Sequence, residues 1–198
     1  MKAISLKQPW LYLIEIGIKN VENRKWNTKF RGSLIMHASK SHSSNEHETA
    51  LAYVERNGID VDIPSIGDPC YKLGGTCCRV NVVDVLGPRN VDVGWHMAGQ
   101  YGFVIVNVEP VKFVSCKGSL GIWNVPLDVA DALKQPAYDV IEDHVMRTLA
   151  YEARSAEEIM TRLSRYDTKH VNTAIANLWN SRKINFDDEH RLVIADGK

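Results

Sequence analysis

The segment GIKNVENRKWNTKFRGSLIMHASK, residues 17–40, holds six basic side chains, Lys19, Arg24, Lys25, Lys29, Arg31 and Lys40. Among them stand one acid, Glu22, and two aromatics, Trp26 and Phe30. This local balance of +5 lies in a chain of 198 residues whose 24 basic and 24 acidic side chains cancel. Clustered cations suit phosphate, because counterion release follows the phosphates met rather than the charge of the whole molecule. Aromatic faces add stacking for bases, roughly 1–3 kcal/mol per base without reading sequence. Acid–base chemistry is also open to Lys19 beside Glu22, while a carboxylate there can instead accept a hydrogen bond from an amine edge such as cytosine N4. His37 near Ser39 could remove a proton from a ribose 2′-hydroxyl. The competing roles are structural: Trp10 and Trp26 as barrel core, and Glu22 as the ion-pair partner of Lys19 or Arg24.

The elements that must position these residues are short. From Lys2 to about Asp128 the β-like stretches AISL, KNVENRKW, GSLIMHA, GTCCRVNVVDVL, YGFVIVNVEPVKFV and LGIWNV are separated by Gly and Pro. Two helical patterns interrupt them. QPWLYLIEIG offers Pro9 for a first helical position and Gly17 for a stop, and SSNEHETALAYVERNG offers Ser44 as cap, Glu48 in the first turn and Gly58 as terminator. Strands in this number with two helices predict an α+β domain around a β-barrel or strongly curved sheet.

After a short linker, Val129 to Ala137 with Pro136, the pattern changes. VIEDHVMRTLAYEA repeats apolar residues at Ile141, Val145 and Leu149; SAEEIMTRL opens with a capping box of Ser155 and Glu158; DTKHVNTAIANLWNSRKI carries Val171, Ile175, Leu178 and Trp179 on one stripe. INF and RLVIA then flank DDEH as a hairpin.

Several classes are excluded or left unsupported. No apolar run approaches the roughly 18 residues of a membrane span, and MKAISLKQPW lacks a signal-peptide core, so a cytoplasmic protein is expected. Cys70, Cys77, Cys78 and Cys116 read as reduced thiols, and no two-residue cysteine spacing favours zinc. A site from Cys70, Cys77 and His42 or His47 is the one combination available, and the expectation is no metal and no cofactor.

The strings SLKQPWLYLIEIGIKNVENRKW, RGSLIMHASK and KGSLGIWNV occur in the order found in the ASCH domain (activating signal cointegrator homology), and residues 1–127 resemble that family. The resemblance implies a PUA-like β-barrel with flanking helices over residues 1–128, and RNA, DNA or a nucleotide, including a modified base, as ligand in a cleft beside the first helix. It places Gln8 and Trp10 at the helix start, Lys19, Glu22, Arg24, Lys25 and Trp26 along the pocket, and Arg31, His37, Ser39 and Lys40 on the next strand. Gly118, Gly121 and Trp123 would pack beneath the barrel. Some relatives in the superfamily are amidohydrolases on acetylated cytidine, acting through a lysine, a threonine and a glutamate, and some are ribonucleases. Lys19 matches the lysine, Glu22 occupies the threonine position, and Asp84 is the candidate for the third. Residues 138–198 resemble a winged helix-turn-helix domain. That implies DNA or protein contact through the third helix, with Lys169, His170, Thr173, Asn177 and Asn180 outward. Single-stranded RNA or DNA is the expected partner, with Lys19 and Glu22 as catalytic candidates in the alternative enzyme reading.

Overall fold

The computed structural model describes residues 1–90, 94–134, 138–150, 152–164 and 166–195. The chain forms two compact units, Met1–Lys134 and Gln135–Lys198. No helix among the described residues is long and apolar enough to cross a membrane.

Unit 1 runs β1 (Lys2–Gln8), α1 (Trp10–Glu15), β2 (Val21–Arg24), β3 (Gly32–His42), α2 (Ser44–Arg56), β4 (Gly75–Leu86), β5 (Tyr101–Pro110), β6 (Ile122–Asn124) and α3 (Leu127–Ala132). Its six strands form one sheet in the order β2-β5-β4-β3-β1-β6. β1 and β3 are parallel, and the other neighbours are antiparallel. Register shifts in β1, β3 and β4 bend the sheet. It curls far enough for Arg24, on the edge strand β2, to donate from Nη2 to Ser5 O on β1 at 2.7 Å, four strands away in the order. No backbone pairing among the described residues joins β2 to β1 or β6, so the expected barrel is a rolled sheet left open at one side.

The burial pattern explains why β3 is central. Leu34, Met36 and Ala38 enter the main core with Ile4, Leu6, Leu11, Phe103 and Ile105. Ile35 faces the other way, into a second cluster with Ala3, Val111, Val125, Val129 and Leu133. That second cluster accounts for α3, which occupies residues read from sequence as linker; Gln135, Pro136 and Ala137 lie outside the described residues. α1 ends as expected at Gly17, whose φ of +81° suits glycine. Pro9 and Ser43, rather than Ser44, are the N-cap residues of α1 and α2, and neither makes a side-chain cap bond.

Unit 2 contains α4 (Tyr138–Leu149), α5 (Ala156–Arg162), α6 (Thr168–Asn180) and the antiparallel pair β7 (Ile184–Phe186) and β8 (Leu192–Ile194). Its core joins Ile141, Val145, Leu149, Ile159, Val171, Ala174 and Leu178 to Ile184 and Leu192. The capping box is complete: Glu158 N–H donates to Ser155 Oγ at 3.2 Å and Ser155 N–H to Glu158 Oε2 at 2.8 Å. Trp179 leaves the α6 stripe and packs against Phe186, half exposed, at 5.0 Å between ring centres.

Candidate functional site

The open side of the sheet is a cleft of about 780 Å³. β1 beyond Ile4 and the outer edge of β2 flank it, and neither edge has a strand partner there. Lys19, just before β2, is only 2% exposed. Its ammonium donates to Val21 O at 2.5 Å and to Glu22 Oε2 at 2.8 Å, and lies 5.9 Å from the centre of the Trp10 ring. Arg24 Nε stands 3.0 Å from Glu22 Oε1 as an ion pair, without the alignment of a hydrogen bond. A buried ammonium persists only when its donors are met, and these contacts meet them. Burial pulls the Lys19 pKa below that of an ordinary lysine; Glu22 opposes the shift by charge and hydrogen bond, and Arg24 adds to it.

A second anchor comes from α2. Glu46 accepts from Trp10 Nε1 at 2.8 Å and from Lys7 Nζ at 2.9 Å, fixing the indole against the cleft wall. Burial works to raise the Glu46 pKa, yet the bonds from Lys7 and Trp10 and the charges of Lys7 and Arg24 hold it below the usual value. Asn23 reaches the opposite way. Its Nδ2 donates to Trp95 O at 2.8 Å and its Oδ1 accepts from Met97 N–H at 2.9 Å, which sets Met97 and Gln100 at the cleft margin. Lys25 is exposed on the rim, and half-buried Trp26 packs edge-on against Phe103 with ring centres 5.1 Å apart.

Of the residues proposed from sequence, Trp10, Lys19, Glu22, Arg24, Lys25, Trp26 and Ser39 line this cleft. Gln8 does not. It is fully buried, donating to Lys72 O at 3.1 Å and accepting from Tyr12 N–H at 2.9 Å, so its amide closes α1 rather than facing a ligand. Arg31 pairs with Asp84 at 3.1 Å, and neither side chain lines the cleft. The +5 of residues 17–40 is therefore dispersed. The cleft collects Lys7, Lys19, Arg24 and Lys25 against Glu22 and Glu46, a balance of +2. Lys7 and Glu46 were missed because they come from β1 and α2, and only tertiary packing brings them to the same wall.

His37 and Lys40 belong to a neighbouring groove of about 470 Å³, shared with Ser5, Ser39, Lys117, Gly118, Ser119 and Leu120. His37 is 2% exposed, with Nε2 3.1 Å from Cys116 O and its ring edge-on to Trp123. The carbonyl can only accept, so Nε2 carries hydrogen. Burial holds the His37 pKa below the usual 6.5, against the opposing bond to Cys116. Its Nδ1 is sealed from solvent without a partner, and the ring therefore does not present a base to a ligand in the main cleft. Gly118 covers it closely: an added Cβ would sit 2.5 Å from Ser5 Oγ and 2.6 Å from His37 Cε1.

Another cavity of about 780 Å³, lined by Tyr53, Arg56, Asn57 and Met97, has Arg56 as its one charged lysine or arginine, and that guanidinium lies 5.7 Å from the centre of the Tyr53 ring. In unit 2, Lys169 is exposed in the first turn of α6, and Asn177 donates to Glu142 Oε1 at 2.9 Å. The thiols of Cys77 and Cys78 are wholly buried, and burial pushes Cys77 up to about 12. No three metal-ligating side chains come together among the described residues.

Residues 4–114 match the family model described as the ASCH domain. Activating signal cointegrator 1 of Mus musculus and its counterpart of Homo sapiens are each 28% identical over 142 residues, a match covering 67% of this chain and 24% of theirs. The chain thus spans about a quarter of those proteins.

Proposed function

Because this chain belongs to the ASCH domain family, we propose that unit 1 binds a single strand of RNA or DNA, with one base, natural or modified, in the cleft between β1 and β2. The observation that carries this reading is one wall on which Trp10, Lys7, Lys19 and Arg24 converge beside unpaired strand edges. Lys7, Arg24 and Lys25 meet phosphate, the indole faces offer stacking, and Glu22, held in place by Lys19, with the backbone groups left free at the strand margins, offers hydrogen bonds to a base edge. Unit 2 is read as a winged helix-turn-helix. Three helices, a hairpin and the backbone bridge between Arg154 and Leu192 support it. In its hairpin loop one cation, Arg191, contacts Asp187 at 2.8 Å and Glu189 at 2.9 Å, so the three acids of residues 187–189 are only partly offset, which opposes phosphate at the wing and leaves DNA contact to α6 or a protein partner in its place.

Titration of labelled single-stranded RNA, single-stranded DNA and duplex DNA against the whole chain at two salt concentrations tests the cleft. Two to three phosphates met there give a salt slope of about −2 for a single strand. Lys7→Gln with Lys25→Gln should flatten it; salt-insensitive binding, or no binding, rejects the reading.

A hydrolytic function is the second reading, favoured by the depressed pKa of Lys19 beside Glu22 in the cleft. Product analysis of RNA and of acetylated cytidine after incubation separates it from binding. Turnover lost in Lys19→Ala supports an enzyme, and unaltered ligand with intact binding rejects one.

A further inference from the structure

The cleft and the neighbouring groove share Ser5, Ser39, Ser119 and Leu120, and Leu120 is 96% exposed between them. An exposed leucine is unremarkable by itself. Its setting is less ordinary. Ser119 O, one residue before, accepts from Ser5 Oγ at 3.2 Å; Gly118 is pressed between Ser5 and His37; Gly121 follows at φ +66°. The backbone on both sides is thus held, and an apolar side chain is kept in water where no packing rewards it.

The groove also has a defined charge. Lys40 and Lys117 line it, both exposed, with no acid among its lining residues. Lys40 lies across Gly74, whose added Cβ would meet Lys40 Cγ at 3.0 Å. Both cavities fall within roughly 300–1,000 Å³, the range that accepts small organic groups.

Resting on the nucleic-acid reading of the cleft, we propose that Leu120 is a wedge between two consecutive bases of a bound single strand. One base enters the cleft, its neighbour lies over the groove, and the linking phosphate passes beside Lys40 and Lys117. The recognised unit is then at least a dinucleotide rather than a free nucleotide, because a mononucleotide fills only one side of the ridge. Apolar wedges inserted between base steps separate stacked bases in the same physical manner.

The test uses the whole chain, uridine monophosphate, a uridine hexanucleotide and a dinucleotide containing 2-aminopurine, whose fluorescence rises when its base unstacks. The hexanucleotide is expected to bind at least tenfold more tightly than the mononucleotide. Leu120→Ala should remove about tenfold of hexanucleotide affinity, a larger loss than it causes for the mononucleotide, and abolish the fluorescence rise. Folding is not at stake for so exposed a side chain. Lys117→Gln should reduce the hexanucleotide salt slope by about 0.7. Equal affinity for mononucleotide and hexanucleotide, or a fluorescence rise that survives Leu120→Ala, overturns the wedge while leaving cleft binding in place. Failure of both ligands to bind overturns the cleft reading and the wedge together.

Discussion

The cleft of unit 1 and the surface of α4 and the hairpin in unit 2 use charge in opposite ways. In the cleft, Lys19 and Glu22 are buried and each is held by named partners, so the pair belongs to the fold. On unit 2 the acids and bases are exposed and paired over short sequence distances, as Asp143 with Arg147 at 2.9 Å and Asp187 with Arg191 at 2.8 Å. Exposed pairs of that kind contribute about 0–1 kcal/mol and rearrange readily when a partner arrives. The difference teaches that charge in the cleft is preorganised, whereas charge on α4 and the hairpin of unit 2 is available.

Glu22→Gln strikes this contrast hardest. It leaves the Lys19 ammonium buried with one carbonyl and no carboxylate, and the expected loss is about 3–5 kcal/mol in chemical denaturation. Lys19→Met, after which Arg24 still stands 3.0 Å from the Glu22 carboxylate, should lose less; a loss below about 1 kcal/mol for Glu22→Gln would show that the pair is not what holds this site. Gly118→Ala comes next. The clash with Ser5 Oγ and His37 should lower the stability of unit 1 by about 1–3 kcal/mol, and an unchanged transition would contradict the close packing of that loop.

In unit 2, Ser155→Ala removes one half of the capping box at an expected loss of about 1 kcal/mol, read by hydrogen exchange in α5 without change in β1–β6. Acid provides a broader comparison. Burial lowers the pKa of both His37 and His42 in the folded chain, with nearby His47 adding to the shift at His42. Below 6.5 the unfolded chain therefore takes up protons first. The associated stability is present above pH 6.5 and is lost as pH falls through the lowered folded values. Denaturation midpoints at pH 7.5 and 5.5 should record this, and His37→Gln should reduce the difference. Lys169→Gln gives the smallest effect on folding, within about 0.5 kcal/mol, but should reduce the salt slope of duplex DNA binding by about 0.9 if α6 contacts phosphate. An unchanged slope directs attention to a protein partner.

The strands were legible as short apolar and β-branched runs bounded by Gly and Pro, as in GSLIMHA and GTCCRVNVVDVL, and the three helices of unit 2 were legible from apolar residues repeating at helical spacing. α3 was not, because six residues after Pro126 carry too little periodicity and their helix is stabilised by Ala3 on β1, Ile35 on β3 and Val111 just after β5. The basic stretch exposed the cleft but misstated its charge. Lys19, Glu22 and Arg24 stay together near one strand edge, while Arg31 lies beyond the turn-rich stretch after β2 and meets Asp84 instead. Glu46 had no local signal at all, since its role depends on α2 lying beside Trp10 and Lys7.

The unclosed sheet has an evolutionary consequence. Peptide groups at the margins of β1 and β2 supply hydrogen-bond chemistry that substitution cannot delete, because every residue other than proline brings the same donor and acceptor. Side chains around such a gap can drift while the hydrogen-bonding groups of the backbone are inherited with the fold itself.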